Sequence, residues 1–183
     1  MITNLIIIDD FYQEPDEVRE FALQQEFNVS GNYPGMRTQS FLNDNVAGAI
    51  QNIIYPHAGQ VTDWGGEYTG AFQIATAADR TWIHADKYTT WAGVCYLTPD
   101  APLSAGTAFY QHKEKGIYKD QRDGSEYPEG QDYTKWIKTD VIANRYNRLI
   151  LYRGDIFHAS LDYFGYDLET GRLFQTFFFT TEG

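Results

Sequence analysis

The run near the end of the chain, residues 172–179, reads Arg-Leu-Phe-Gln-Thr-Phe-Phe-Phe and follows a Glu-Thr-Gly turn at 169–171. Aromatic residues are common in strands, so a run of this length after a turn predicts a buried strand. Six similar segments, separated by turn residues, precede it: 68–76, 81–86, 90–97, 107–111, 148–152 and 155–160. Many short strands at this spacing indicate a mainly β fold, either a sandwich or a barrel.

Upstream of these segments, the sequence predicts one strand and two helices. The apolar run from Leu5 to Ile8 ends at two aspartates and indicates a buried strand. Pro15 suits the first turn of a helix, and acidic residues follow it there. A second helix is predicted from Asp44 to His57, because apolar residues recur at helical spacing from Val46 to Ile54. We expect both helices to pack outside the β core.

Two segments break this pattern. Residues 31–38 are rich in turn-forming residues and predict a loop, with Tyr33 and Arg37 either at the rim of a site or in solvent. Residues 111–140 are long, polar and poor in aliphatic residues, so we interpret them as an insertion that could cover a site. The whole chain of 183 residues is expected to form one domain, with helical support over 1–60 and the β-barrel core over 66–180.

Charge and composition narrow the possible partners. The 25 acidic residues exceed the 14 basic ones by 25 − 14 = 11, which disfavours bulk nucleic acid as a partner. The apolar runs are too short to span a bilayer, so no membrane is expected. The single cysteine, Cys95, cannot form an internal disulfide, and no leader-like segment opens the sequence, so we expect a reducing cytoplasm.

Three residues have the chemistry of a metal site. His84 and Asp86 are two positions apart, so on a strand their side chains point to the same face. His158 lies in a later strand-like run and supplies a third ligand. Two neutral imidazoles and one carboxylate suit Fe(II) and leave positions open for a bidentate co-substrate and dioxygen. Trp82 shares the face of the first two ligands and is expected to form a wall of the pocket.

Arg172 opens the last predicted strand, in an interior rich in phenylalanine. A guanidinium there is costly unless it is paired, and the distal end of a dicarboxylate is a suitable bidentate partner. Thr176 shares its face and is predicted to add a hydroxyl to that anion. The alternative is a structural salt bridge of Arg172 at the end of a hairpin.

His84-x-Asp86, His158 and Arg172, in this order, resemble the iron(II)- and 2-oxoglutarate-dependent oxygenases, whose double-stranded β-helix is a jelly-roll, cupin-like barrel. The resemblance covers residues 72–179. Tyr96-Leu97-Thr98 is similar to the Tyr-Leu-Asn of prolyl-hydroxylase-like members, in which the tyrosine binds the distal carboxylate of the co-substrate. Two further segments resemble motifs of the same group: Gly106-Thr107-Ala108-Phe109 and Asn147-Arg148-Leu149. Phe174 departs from the pattern, because it stands where the group has a serine.

The resemblance implies a dioxygenase that uses Fe(II), 2-oxoglutarate and O2, hydroxylates a small molecule or a peptide side chain, and releases succinate and CO2. It implies metal ligands at His84, Asp86 and His158, and 2-oxoglutarate contacts at Arg172 and Tyr96, to which the shared strand face adds Thr176. Substrate contacts are predicted at Trp82, Arg37 and Tyr33. Two alternatives are a non-enzymatic jelly-roll binding or structural protein and a cupin-type metal dioxygenase that does not use 2-oxoglutarate. The sequence leaves the substrate and the oligomeric state open.

Overall fold

The computed structural model describes residues 2–121 and 127–183, and within them the chain folds into ten strands and two α-helices. The strands are β1 Leu5–Ile8, β2 Met36–Ser40, β3 Val61–Trp64, β4 Ala71–Ala75, β5 Trp91–Tyr96, β6 Thr107–His112, β7 Trp136–Ile142, β8 Leu149–Arg153, β9 His158–Ser160 and β10 Arg172–Thr181. The helices are α1 Pro15–Leu23 and α2 Asp44–Ala58. No helix among the described residues is long and apolar enough to cross a membrane.

The strands form two antiparallel sheets. The larger sheet has the order β1-β8-β5-β10-β4-β2, and β3 also pairs with β10. The smaller sheet has the order β7-β6-β9. Phe109 of the smaller sheet packs with Tyr96, Ile150 and Phe174 of the larger one, so the two sheets enclose a common interior. The mainly β, jelly-roll architecture predicted from the sequence is confirmed.

The alternation of side chains along β10 separates the barrel interior from the helical layer. Phe174 belongs to the interior cluster between the sheets, whereas Phe177 and Phe179 belong to a second cluster on the opposite face. Ile50 and Ile54 of α2 are fully buried in that second cluster. Both helices therefore pack outside the barrel, as the sequence predicts.

Several boundaries differ from the sequence predictions. The predicted loop over residues 31–38 is wrong at its end, because Met36–Ser40 forms β2 and pairs with β4. Residues 81–86 are not a continuous strand, and His84 forms only an isolated bridge with His158. The polar insertion contains most of β7, which pairs with β6. Each of these differences depends on a pairing partner that is distant in the sequence.

The described part of the insertion supports the segments that lead into two candidate metal ligands. The amide of Phe157, next to His158, donates to the carbonyl of Tyr118 at 3.1 Å. The amide of Ile83, next to His84, donates to the carbonyl of Gly130 at 2.9 Å. The described residues of the insertion therefore hold the backbone next to two candidate metal ligands through hydrogen bonds.

Candidate metal centre

His84, Asp86 and His158 lie close together in the folded chain. One possible ligand atom from each side chain lies within 4.8 Å of the other two. Nε2 of His158 is 3.5 Å from Oδ2 of Asp86, and the two imidazole centroids are 4.5 Å apart. The structure thus brings together the three ligands that the sequence predicts.

The backbone fixes the tautomer of both histidines. Nδ1 of His84 lies 3.0 Å from the carbonyl oxygen of Trp82, and Nδ1 of His158 lies 2.8 Å from that of Ile156. A carbonyl oxygen only accepts, so each Nδ1 carries the proton and donates it. Each Nε2 therefore presents a lone pair, which is the form of histidine that binds a metal.

The remaining donor atoms fit a divalent metal ion. Oδ2 of Asp86 is buried and accepts no hydrogen bond. It faces the Nε2 lone pair of His158, and two acceptors at this distance repel each other unless a cation lies between them. Burial and the neighbouring His84 lower the pKa of His158 to about 4, so its imidazole is neutral at neutral pH. Two neutral imidazoles and one carboxylate are the donor set that suits Fe(II).

A single cavity contains the triad and the three predicted substrate-pocket residues, Trp82, Arg37 and Tyr33. The Trp82 ring lies 6.0 Å from the ring of His84, so it forms a wall beside the metal ligands. Arg37 lines the same cavity from β2, where it is paired with Gln73 of β4. No described residue of the 111–140 insertion lines this cavity.

Arg172 and Tyr96 lie together, as the resemblance implies. Arg172 is fully buried, and its Nε and Nη2 donate to the carbonyls of Ala105 (2.9 Å) and Gly106 (3.3 Å). Its Nη1 is buried without a hydrogen-bond partner, and its Cζ is 5.3 Å from the Tyr96 ring. The ion pairs among the described residues do not include Arg172, so the alternative of a structural salt bridge has no support there.

Two aromatic rings separate this guanidinium from the cavity. Phe174 and Tyr163 line the cavity, and their ring centroids lie 4.4 and 5.8 Å from Cζ of Arg172. Arg172 and Tyr96 do not themselves line it. The unpartnered Nη1 could donate a hydrogen bond to an anion. Of the two rings, Phe174 lies closer to the guanidinium.

Thr176 lines the cavity but has already used its hydroxyl proton. Its Oγ1 donates to the carbonyl oxygens of Tyr68 at 2.8 Å and Ala71 at 3.2 Å. A hydroxyl has one proton, so in this arrangement it has none to donate to a co-substrate. Its assignment to 2-oxoglutarate stays a prediction, and these hydrogen bonds argue against it.

The sequence analysis did not identify one residue at the metal centre and one in the cavity. The Tyr152 ring lies 4.6 Å from the ring of His158, and burial raises the pKa of its hydroxyl. Tyr152 shares the inward face of β8 with Ile150, so two-residue alternation could have found it. Gln73 is buried and lines the cavity beside Arg37.

Comparison with known proteins gives one family and a shared fold. Residues 2–129 match the model of a family described as "Family of unknown function (DUF6445)". No curated protein sequence matches the chain significantly. HygX from Streptomyces hygroscopicus, solved with nickel and 2-oxoglutarate, is 10% identical with a TM-score of 0.63, over 96% of this chain and 82% of that one.

Two further solved structures share the fold. The 2-oxoglutarate-dependent epimerase SnoN from nogalamycin biosynthesis is 11% identical with a TM-score of 0.58, over 96% of this chain and 76% of that one. A Pseudomonas putida prolyl-4-hydroxylase is 12% identical with a TM-score of 0.51, over 98% and 94% of the two chains. The chain therefore has the double-stranded β-helix fold of these oxygenases.

Proposed function

The chain belongs to the DUF6445 family, and we propose that it is an iron(II)- and 2-oxoglutarate-dependent dioxygenase that hydroxylates its substrate. In the overall reaction, one atom of O2 enters a substrate C–H bond as a hydroxyl group. The other atom enters succinate, as 2-oxoglutarate loses CO2. The four electrons that reduce O2 come from the C–H bond and from the oxidative decarboxylation, so no further reductant is needed.

The single observation that carries this proposal is the arrangement of donors at the triad. The Nε2 atoms of His84 and His158 and the unpartnered Oδ2 of Asp86 are directed to one place. The carbonyls of Trp82 and Ile156 hold both imidazoles in the metal-binding tautomer. A purely structural barrel has no need of three convergent acceptors that repel one another without a cation.

Arg172 supports 2-oxoglutarate as the co-substrate. Its buried Nη1 lacks a partner, and a carboxylate would supply one through a charge-assisted hydrogen bond. Tyr96 lies against the same guanidinium and donates or accepts a hydrogen bond with Thr107 at 2.8 Å. The relatives agree with this assignment, since HygX has been solved with iron and with nickel and 2-oxoglutarate.

The side chains of this protein have distinct tasks in the reaction. Bound iron with 2-oxoglutarate and O2 supplies the oxidising power. His84, Asp86 and His158 would hold the metal through two imidazole nitrogens and one carboxylate oxygen. The ring of Trp82 lies beside His84, and the ring of Tyr152 lies beside His158. Arg172 and Tyr96 would bind the far carboxylate of the co-substrate.

An anaerobic titration tests the proposal. The metal-free protein receives Fe(II) and then 2-oxoglutarate, and the visible charge-transfer band of the chelated 2-oxo acid is recorded. We expect the band in the wild type and in His57→Ala, whose histidine lies at the exposed end of α2. We expect no band in His84→Ala. A folded, iron-loaded wild type without a band would overturn the 2-oxoglutarate assignment and favour the metal dioxygenase or binding-protein alternatives.

A further inference from the structure

Arg37 is a buried cation in the same cavity as the metal ligands. Its side chain is on β2, and only 5% of the residue is exposed. Three aromatic rings surround the guanidinium: Cζ lies 3.8 Å from the ring centroid of Tyr33, 4.9 Å from that of Tyr68 and 6.0 Å from that of Phe178. We call these three rings and Arg37 the arginine cage.

The hydrogen bonds of Arg37 leave its charge unbalanced. Nε donates to Oε1 of Gln73 at 3.0 Å, and Nη2 donates to the same oxygen. Gln73 is itself held in place, because its Nε2 donates to the carbonyl of Pro34 at 2.6 Å. Among the described residues, no ion pair includes Arg37. A guanidinium has five N–H donors, and these hydrogen bonds give it one neutral acceptor.

Such an arrangement is costly for a purely structural residue. Burying a cation without an anion is unfavourable, and that desolvation lowers the pKa of Arg37 to about 10. The group still carries its charge at neutral pH. The cage holds the flat guanidinium in one orientation, which reduces the side-chain entropy that Arg37 would otherwise lose when a bidentate ligand binds.

The charges of the cavity indicate the sign of the missing partner. Arg37 and Asp86 are the only Lys, Arg, Asp or Glu side chains among the described residues that line it. Asp86 is committed to the metal in the proposed function. A divalent metal, Asp86, the dianion of 2-oxoglutarate and Arg172 together sum to zero. Arg37 is then left as one uncompensated positive charge, although the whole chain has a net charge of −11.

We propose that the arginine cage binds the carboxylate of the substrate, and that the substrate is a small organic acid with an apolar body. Bidentate carboxylate binding suits the donor fork of a guanidinium. The aromatic walls suit an apolar body, and the depth of Arg37 favours a small molecule that enters the cavity whole. Arg37 is thus a specificity-determining residue that lines the cavity itself, whereas Arg172 does not. This proposal rests on the proposed function for the chemistry that follows binding.

A pair of isosteric probes tests the cage without turnover. Benzoate and benzamide are titrated into the protein loaded with diamagnetic Zn(II), which occupies Asp86, and binding is followed through the arginine Nε–Hε NMR signals. We expect benzoate to shift the Arg37 signal and to bind about tenfold more tightly than benzamide, as one charge-assisted pair would give. The signal is assigned by its loss in Arg37→Met.

Variants of Arg37 and Arg172 test which arginine causes the preference for benzoate over benzamide. Arg37→Met is expected to reduce the benzoate preference to less than about twofold, while Arg37→Lys keeps part of it because the charge remains. Arg172→Met is the matched control and is expected to keep the full preference. The proposal is overturned if the wild type does not distinguish the two probes, or if folded Arg37→Met distinguishes them as well as the wild type does. Arg37→Lys gives the same decision should Arg37→Met fail to fold, since an unreduced preference there contradicts bidentate binding.

The anaerobic iron and 2-oxoglutarate titration separates this proposal from the proposed function. We expect Arg37→Met to keep the charge-transfer band and Arg172→Met to lose it. The reverse result would make Arg37 the anchor of the co-substrate and would overturn the proposal for the cage. A wild type with no band contradicts the proposed function, while the benzoate preference still decides whether the cage binds a carboxylate.

Discussion

His84 and His158 are joined by a reciprocal pair of backbone hydrogen bonds. The amide of His84 donates to the carbonyl of His158 at 3.0 Å, and the amide of His158 donates to the carbonyl of His84 at 2.8 Å. This isolated antiparallel bridge connects residues that are 158 − 84 = 74 positions apart. Main-chain atoms therefore set the spacing of the two imidazoles, and the side chains are available for the metal.

The first prediction concerns metal binding. Because the bridge uses only backbone atoms, His158→Ala is expected to keep its fold and its near-UV circular dichroism. It should bind Ni(II) at least about 100-fold more weakly, because losing a ligand weakens metal binding more than losing a residue that only hydrogen-bonds to a ligand. Isothermal titration calorimetry measures the affinity, and His57→Ala is the matched histidine control. Unchanged Ni(II) affinity in folded His158→Ala would place the metal elsewhere.

The second prediction concerns acid stability of the metal-free protein. The pKa of His158 is lowered from 6.5 to about 4, mainly by burial and then by His84. Between these values the unfolded state binds more protons, so stability falls as the pH falls from about 6.5 to about 4. As the pH falls, the free energy of unfolding of the wild type should decrease by up to about 1.4 kcal/mol per pH unit more than that of His158→Asn. Urea unfolding at pH 6.5, 5.5 and 4.5 measures this difference, and parallel curves would contradict it.

The third prediction concerns the ring over Arg172. Removing the Phe174 ring should open Nη1 to the cavity and raise the fraction of protein that is ready to bind the co-substrate. We expect Phe174→Leu to bind 2-oxoglutarate about three- to tenfold more tightly in the anaerobic titration. Phe109→Leu is the matched control, because Phe109 lies in the same interior cluster without lining the cavity. Weaker binding in folded Phe174→Leu would show that the ring supports the co-substrate rather than covering its anchor.

The fourth prediction compares two glycines. A Cβ at Gly48 in α2 would meet nothing within 4 Å, so Gly48→Ala should raise the free energy of unfolding by about 0.5–1 kcal/mol. A Cβ at Gly106 would lie 1.8 Å from the carbonyl oxygen of Ile142. Gly106→Ala should therefore lower the free energy of unfolding by about 1–3 kcal/mol. It should also weaken 2-oxoglutarate binding, because the Gly106 carbonyl accepts from Arg172. Denaturant unfolding measures the stabilities, and the anaerobic titration measures 2-oxoglutarate binding. Equal free energies of unfolding for Gly48→Ala and Gly106→Ala would contradict the predicted difference in stability.

The sequence by itself determined the elements whose patterns are local. Apolar residues at helical spacing predicted α2 almost to its last residue. Aromatic segments between turns predicted most of the strands. The prediction that the side chains of His84 and Asp86 point to the same side followed from the two-residue repeat of an extended chain. The order of these residues, His158 and Arg172 then predicted a metal site that the structure brings together.

Only the tertiary structure decided how these pieces face one another. Arg37 enters the cavity because β2 pairs with β4 in the register that sets it opposite Gln73. Phe174 covers Arg172 because both point into the interior between the sheets. No local pattern specifies such contacts, since they depend on the register of strands far apart in the sequence. A shift of one residue in that register would send each of these side chains to the other face of its sheet.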